Sequence, residues 1–112
     1  SIILVCDPLD GSSNIDTNLT IGTIFSIFEK KKSLLQLGRD QKVAGFFSYG
    51  PQTTLLITFG EGVFGFCLDT ENNFLPINWK VTIPYITSEY AINSSNQKYW
   101  PLNVKNYIND LC

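Results

Sequence analysis

The chain has 112 residues, of which 44% are hydrophobic and 16% are charged, and its formal net charge is −2. This composition excludes a fully disordered chain, because disordered sequences are polar and highly charged. Eight basic residues against ten acidic ones provide no electrostatic surface for nucleic acid, so we expect no nucleic-acid partner.

No apolar run approaches the roughly 18 to 20 residues of a membrane span, and the first residues lack the positive region of a signal peptide. We therefore expect a cytoplasmic protein without a membrane partner. Histidine is absent, which removes the Ser/His and Cys/His nucleophile systems. Any hydrolytic chemistry must therefore use carboxylates, metals or both.

The predicted elements are mostly strands. In chain order, strands are predicted at residues 2–6, 19–29, 53–59, 62–69, 74–77 and 89–92. The turn-forming residues 7–14 should end the first strand, and the turn at Gly60 and Glu61 should close a hairpin between the third and fourth strands.

Two helices are predicted as well. Residues 38–49 have Val43, Ala44 and Phe47 at helical spacing, and a last helix should begin at Pro101. This mixture predicts an α/β fold, or an α+β fold with mixed sheets. The apolar strand at the start and the helix at the end also predict that the chain is an internal fragment.

The residue types at 7–13 indicate one particular chemistry. Asp7 and Asp10 stand at the end of an apolar strand, and together with the main-chain carbonyl of Leu9 they offer the hard oxygen ligands that Mg²⁺ prefers. The backbone N–H groups that follow in residues 11–13 can bind phosphate. Metal-binding carboxylates next to an anion site are typical of phosphoryl transfer to water. The same residues are also typical of an ordinary turn.

The motif resembles the signature of class I fructose-1,6-bisphosphatases, in the residues Asp7-Pro8-Leu9-Asp10-Gly11-Ser12-Ser13-Asn14-Ile15-Asp16. Later blocks resemble that family in the expected order, at residues 22–27, 38–51, 67–69, 91–93 and 99–100. The block at residues 93–98 resembles the bacterial variant. The resemblance covers essentially the whole chain and implies a central part of the sugar phosphatase fold, with its αβαβα layers.

The resemblance also implies roles for individual residues. Asp7 and Asp10 would be catalytic metal ligands together with the Leu9 carbonyl, and the metal would be Mg²⁺ or Mn²⁺. The substrate, fructose 1,6-bisphosphate, would be bound by Asp10, Gly11, Ser12, Ser13 and Asn93. Residues 1–83 would form the end of the N-terminal domain, which holds the metal and 1-phosphate site, and residues 84–112 the start of the substrate-binding domain. The full-length protein would be a homotetramer acting in gluconeogenesis.

Two alternatives remain open at this point. One is a sedoheptulose-1,7-bisphosphatase or a bifunctional sugar bisphosphatase, since that family shares much of the motif. The other is a catalytically inactive truncated remnant, an alternative suggested by the apolar strand at the start of the chain and the helix at its end. The family's other metal-binding glutamates and most of its sugar-binding residues have no counterpart here. By this reasoning, the 112-residue chain alone should be inactive.

Overall fold

The computed structural model describes residues 1–30 and 35–111. They form a six-stranded antiparallel sheet followed by one α-helix, with three short 3₁₀ turns between elements. The strands are β1 (Ile2–Asp10), β2 (Ile21–Glu29), β3 (Gln41–Tyr49), β4 (Thr53–Thr58), β5 (Val63–Leu68) and β6 (Phe74–Val81), and the helix is α1 (Leu102–Leu111). The strands lie side by side in chain order. The combination of sheet and helix confirms the predicted fold class.

Strands form where apolar side chains alternate with the period of two that a pleated sheet requires. In β2, the predicted face of Ile21, Thr23, Phe25 and Ile27 is confirmed, because these residues pair with alternate residues of β3. The predicted hairpin of β4 and β5 is also confirmed. Its turn is held by the Thr58 hydroxyl, which donates to the Gly62 carbonyl at 2.6 Å.

The helix predicted at residues 38–49 is wrong. A 3₁₀ turn at Gly38–Asp40 leads directly into β3. The same residues also alternate, with Val43 and Phe47 on one face and Ala44 and Phe46 on the other. Strands β2 and β4 pair with both edges of this segment, and this tertiary pairing outweighs the weak helical pattern.

Other strands also differ from the predictions. The first strand continues through the predicted turn to Asp10, and β6 continues to Val81 because Asn78 and Val81 still pair with β5. The strand predicted at residues 89–92 is absent, and these residues have no regular structure. Residues 31–34 lie outside the described residues, as does Cys112.

The last helix is confirmed. It begins at Leu102, and the Pro101 carbonyl accepts the amides of Val104 and Lys105, which closes its first turn. No helix within the described ranges has both the length and the hydropathy needed to cross a membrane. The predicted domain boundary between residues 83 and 84 stays a prediction.

Apolar packing is concentrated on one face of the sheet. Phe47 lies at the centre of an aromatic cluster, with its ring centroid 5.8 Å from those of both Phe25 and Phe74. Among the described residues, however, no hydrophobic side chain is fully buried. Phe46 and Phe59, for example, are exposed. Strand β1 lies at one edge of the sheet.

Candidate metal and phosphate site

A β-bulge sets the direction of the two aspartates. Asp7 pairs with Ile24 and Asp10 pairs with Gly22, so Pro8 and Leu9 of β1 stand opposite the single residue Thr23 of β2. Paired residues in an antiparallel ladder have their side chains on the same face, and residues two apart in a strand share a face. Asp7 and Asp10 therefore lie on one face of the sheet, although their spacing of three would separate them in a regular strand.

The Asp7 carboxylate is oriented by its own backbone. Its Oδ1 accepts a hydrogen bond from the Leu9 N–H at 3.1 Å. Both Asp7 and Asp10 are exposed. A cation bound there would keep part of its hydration shell, which suits Mg²⁺ because this ion releases its waters reluctantly.

The strand leads directly into a tight turn. Gly11 has a φ of 77°, in the left-handed region where glycine carries no Cβ penalty. The Asn14 N–H donates to the Gly11 carbonyl at 2.8 Å, and the Ile15 N–H donates to the Ser12 carbonyl at 3.2 Å. Within the described ranges, the backbone hydrogen bonds of this turn do not use the amides of Ser12 and Ser13 as donors. These amides remain available to an anion.

An open cavity of about 210 Å³ lies beside this turn. Asp10 and Gly11 form one side of it, and Gly22 and Ser48 contribute from the neighbouring strands. The cavity therefore joins one of the two acids to the start of the turn. Its size and open form suit a phosphate group with its waters.

The donor set fits a divalent cation of the Mg²⁺ type. Such an ion is held in proteins by one or two carboxylates, with waters and substrate phosphate oxygens completing its octahedral shell. Asp7 and Asp10 supply the two carboxylates. No group of three or more His, Cys, Asp or Glu side chains gathers within residues 1–30 and 35–111, so these residues do not form a closed protein cage. The predicted role of the Leu9 carbonyl stays a prediction.

Asn93 lies elsewhere in the chain, in the irregular segment between β6 and α1. Its Oδ1 accepts hydrogen bonds from the Ser95 amide at 3.0 Å and from the Ser95 hydroxyl. It is not among the residues described as lining the cavity beside Asp10. Its predicted role in phosphate binding stays a prediction.

Two residues next to the bulge had no role in the sequence analysis. The Thr23 hydroxyl donates to the Pro8 carbonyl at 2.9 Å, and it lies 2.8 Å from the Tyr49 hydroxyl. The available signal was a polar Thr23 on the otherwise apolar face of β2. The pattern of β2 alone, however, does not show which carbonyl this hydroxyl would meet.

Known proteins are similar to this chain over almost its whole length. The family model described as "Fructose-1-6-bisphosphatase, N-terminal domain" matches residues 1–76. The class 1 fructose-1,6-bisphosphatase of Neisseria meningitidis serogroup A is 50% identical in an alignment of 115 positions, which covers 97% of this chain. The corresponding protein of Neisseria gonorrhoeae is 47% identical over the same share of the chain. The chain spans 36% of the length of each of these relatives.

The fold agrees with solved structures. The crystal structure of Leishmania major fructose-1,6-bisphosphatase in holo form superposes with a TM-score of 0.84 at 37% sequence identity. The match covers 96% of this chain and 36% of that protein. These similarities confirm the resemblance in the sequence and the central part of the sugar phosphatase fold. The chain therefore belongs to the fructose-1,6-bisphosphatase family.

Proposed function

We propose that the chain is part of a metal-dependent sugar bisphosphatase that hydrolyses the 1-phosphate of fructose 1,6-bisphosphate, giving fructose 6-phosphate and phosphate. One observation carries the proposal. The bulge in β1 brings Asp7 and Asp10 to one face of the sheet, directly before a turn with available amides. The family is generally metal-dependent, and the relatives named above are fructose-1,6-bisphosphatases.

Each residue group has a distinct task in this proposal. A bound divalent cation supplies charge neutralisation at the phosphoryl oxygens and lowers the pKa of a bound water. The carboxylates of Asp7 and Asp10 hold that cation, with the Leu9 carbonyl as a further ligand. The amides of Gly11, Ser12 and Ser13 orient the phosphoryl oxygens by hydrogen bonds. Asp10, which also lines the cavity beside this turn, would bind both the metal and the substrate.

Further details of the proposal depend on the family resemblance. We assign Mg²⁺ as the metal, with Mn²⁺ as a substitute, and Asn93 as a ligand of the 6-phosphate. We also assign a homotetramer in the cytoplasm. Residues 1–83 would belong to the domain with the metal site and residues 84–112 to the substrate-binding domain.

The experiment is phosphate release by the gene product that contains these residues. With Mg²⁺ present, fructose 1,6-bisphosphate should be hydrolysed and a chelator should stop the reaction. Sedoheptulose 1,7-bisphosphate, tested in parallel, should be hydrolysed with a lower kcat/KM. A reversed preference would assign the protein to the sedoheptulose branch, and no release from either substrate would favour the inactive remnant.

A pair of variants tests the site itself. Asp10→Ala removes one of few anionic ligands, and we expect a fall in kcat of at least about 100-fold, comparable with the loss of one strong electrostatic stabiliser. Asp16→Ala is the matched control, since it removes the same charge from a nearby exposed position. It should keep nearly normal activity. Near-normal turnover of Asp10→Ala would remove Asp10 from the site.

A further inference from the structure

Two hydroxyl groups form a chain of hydrogen bonds to the peptide between the two aspartates. In the bulge, Pro8 and Leu9 have no partner in the β1–β2 ladder. Pro8 has no N–H, so its carbonyl is the one backbone group through which this residue can form a hydrogen bond. The Thr23 hydroxyl binds that carbonyl at 2.9 Å, and the Tyr49 hydroxyl lies 2.8 Å from the Thr23 oxygen.

The direction of these hydrogen bonds follows from proton counting. A carbonyl oxygen can only accept, so Thr23 gives its single proton to Pro8. The proton between Thr23 and Tyr49 must then come from the Tyr49 hydroxyl. The three groups form a relay that runs from Tyr49 through Thr23 to the Pro8 carbonyl, and each bond polarises the next.

The relay lies on the face of the sheet opposite the two carboxylates. Asp7 and Asp10 share the face of their partners Ile24 and Gly22, whereas Thr23 lies between those two residues and points to the other face. Tyr49 pairs with Ile21 and so lies on the Thr23 face. Its ring is parallel to that of Phe47 to within 3°, with the centroids 6.4 Å apart, and this stacking fixes the hydroxyl.

We propose that Thr23 and Tyr49 are positioning residues that fix the Pro8 peptide and thereby the separation of the Asp7 and Asp10 carboxylates at the metal site. This inference rests on the proposed function and goes further, because it assigns the geometry of the site to residues that touch neither cation nor substrate. The relay reaches the acids through the carbonyl of Pro8, which stands between them in the chain. Loss of the Thr23 hydroxyl frees that peptide, and both carboxylates must then be ordered when the cation binds.

The test measures cation binding directly in the gene product that contains these residues, with Mn²⁺ as the probe and electron paramagnetic resonance as the readout. Thr23→Val removes the hydroxyl and keeps the branched shape, and Thr23→Ser keeps the hydroxyl. We expect Thr23→Val to raise the Kd for Mn²⁺ by about 10-fold or more, the range found for groups that orient metal ligands. Thr23→Ser should stay within about twofold of the wild type, because the hydroxyl is retained.

A second pair of variants separates the relay from general effects on the fold. Tyr49→Phe should raise the Kd by about threefold, because the relay loses its outer donor but Thr23 still reaches Pro8. Tyr99→Phe is the matched control, a substitution at an exposed tyrosine outside the sheet that should change nothing. Thermal unfolding without metal should differ little among these variants. Activity at saturating metal should recover in Thr23→Val, because excess cation compensates for weaker binding.

The outcomes distinguish this inference from the proposed function. If the wild-type gene product binds no Mn²⁺ and releases no phosphate, both are overturned. If the wild type binds Mn²⁺ and Thr23→Val binds it equally well, the positioning role alone is overturned. The same holds if Thr23→Ser weakens binding as much as Thr23→Val, because the hydroxyl would then not be the group that acts. If Thr23→Val fails to fold, the Kd for Mn²⁺ of Tyr49→Phe is compared with that of Tyr99→Phe. Equal values then overturn the positioning role.

Discussion

The carbonyl oxygen of Phe47 lies so close to Gly22 that a Cβ added to Gly22 would come within 2.5 Å of it. Real side chains do not tolerate that distance, so the pairing of β2 with β3 at this point requires glycine. Gly22 is also the partner of Asp10 across the β1–β2 ladder. The close contact between β2 and β3 therefore helps to fix the end of the bulge that directs the acids.

Gly22→Ala should lower the free energy of unfolding by about 1–3 kcal/mol, the usual cost of forcing a methyl group into a filled position. The measurement is denaturant unfolding followed by tryptophan fluorescence. Gly38→Ala is the matched control, because a Cβ at Gly38 would meet nothing within 4 Å. Equal stability of the two variants would show that β2 and β3 separate at little cost.

Gly11→Ala tests the turn that follows the bulge. With φ at 77°, an alanine there would adopt a left-handed conformation at a cost of about 1–2 kcal/mol. Gly11→Asn should cost less, because asparagine enters this region more readily. Unfolding free energies of the three proteins check the order Gly, Asn, Ala. A smaller loss for alanine than for asparagine would contradict the turn geometry.

The turn between β5 and β6 is organised by one carboxylate. Oδ1 of Asp69 accepts the amides of Asn73 and Glu71, each at 2.8 Å. The amide of Asn73 makes the largest contribution, and with Glu71 and the Asn73 side chain it holds the pKa of Asp69 below its ordinary value of 3.8, although desolvation opposes this effect. The ionised form therefore favours the folded turn.

This lowered pKa predicts a pH dependence of stability. The folded state binds the proton less readily than the unfolded one, so the stabilisation is fully present above about pH 4 and is lost as the pH falls through the lower folded pKa. Asp69→Asn removes this contribution, so its stability deficit relative to the wild type should shrink below pH 4. Denaturation midpoints at a series of pH values measure the deficit. A deficit that does not change with pH would contradict this role of Asp69.

Phe47 connects three aromatic contacts in an otherwise open sheet, with Phe25, Phe74 and Tyr49. Phe47→Ala should cost about 2 kcal/mol of unfolding free energy, less than for a fully buried phenylalanine, because the ring is half-buried. Phe47→Leu should recover part of that loss, since it restores apolar volume but not the ring contacts. A leucine variant no more stable than the alanine variant would assign the loss to the ring contacts alone.

The strands that the sequence predicted best are those whose patterns are unambiguous. Residues 19–29 alternate clearly, and the turn around Gly60 and Glu61 separates two β-rich runs, so β2 and the hairpin of β4 and β5 were predictable. Strand β3 was not predictable, because its small residues Ala44 and Gly45 weaken the alternation of large apolar and polar side chains. Its state is decided by pairing with β2 and β4, which a single segment does not reveal.

The same limit applies to the candidate site. The chemistry of Asp7 and Asp10 could be predicted from residue type, and the family resemblance could be predicted from the motif. The turn predicted at residues 7–14 would also let the two acids converge on one side, but the structure has a strand there, in which a spacing of three predicts opposite faces. The bulge that corrects this depends on the register against β2, and so does the contact between Thr23 and Pro8.

The chain-order arrangement of the sheet has a consequence for how the protein acquires its structure. In the part of the chain that the structure describes, every ladder joins two strands that are neighbours in sequence, so each pairing closes only a short loop and costs little chain entropy. Sheets of such local contacts form faster than those that must bring distant segments together. On a growing polypeptide, β1 can pair as soon as β2 has been synthesised. The register of the two acids is then set early, before the last strands and the helix exist.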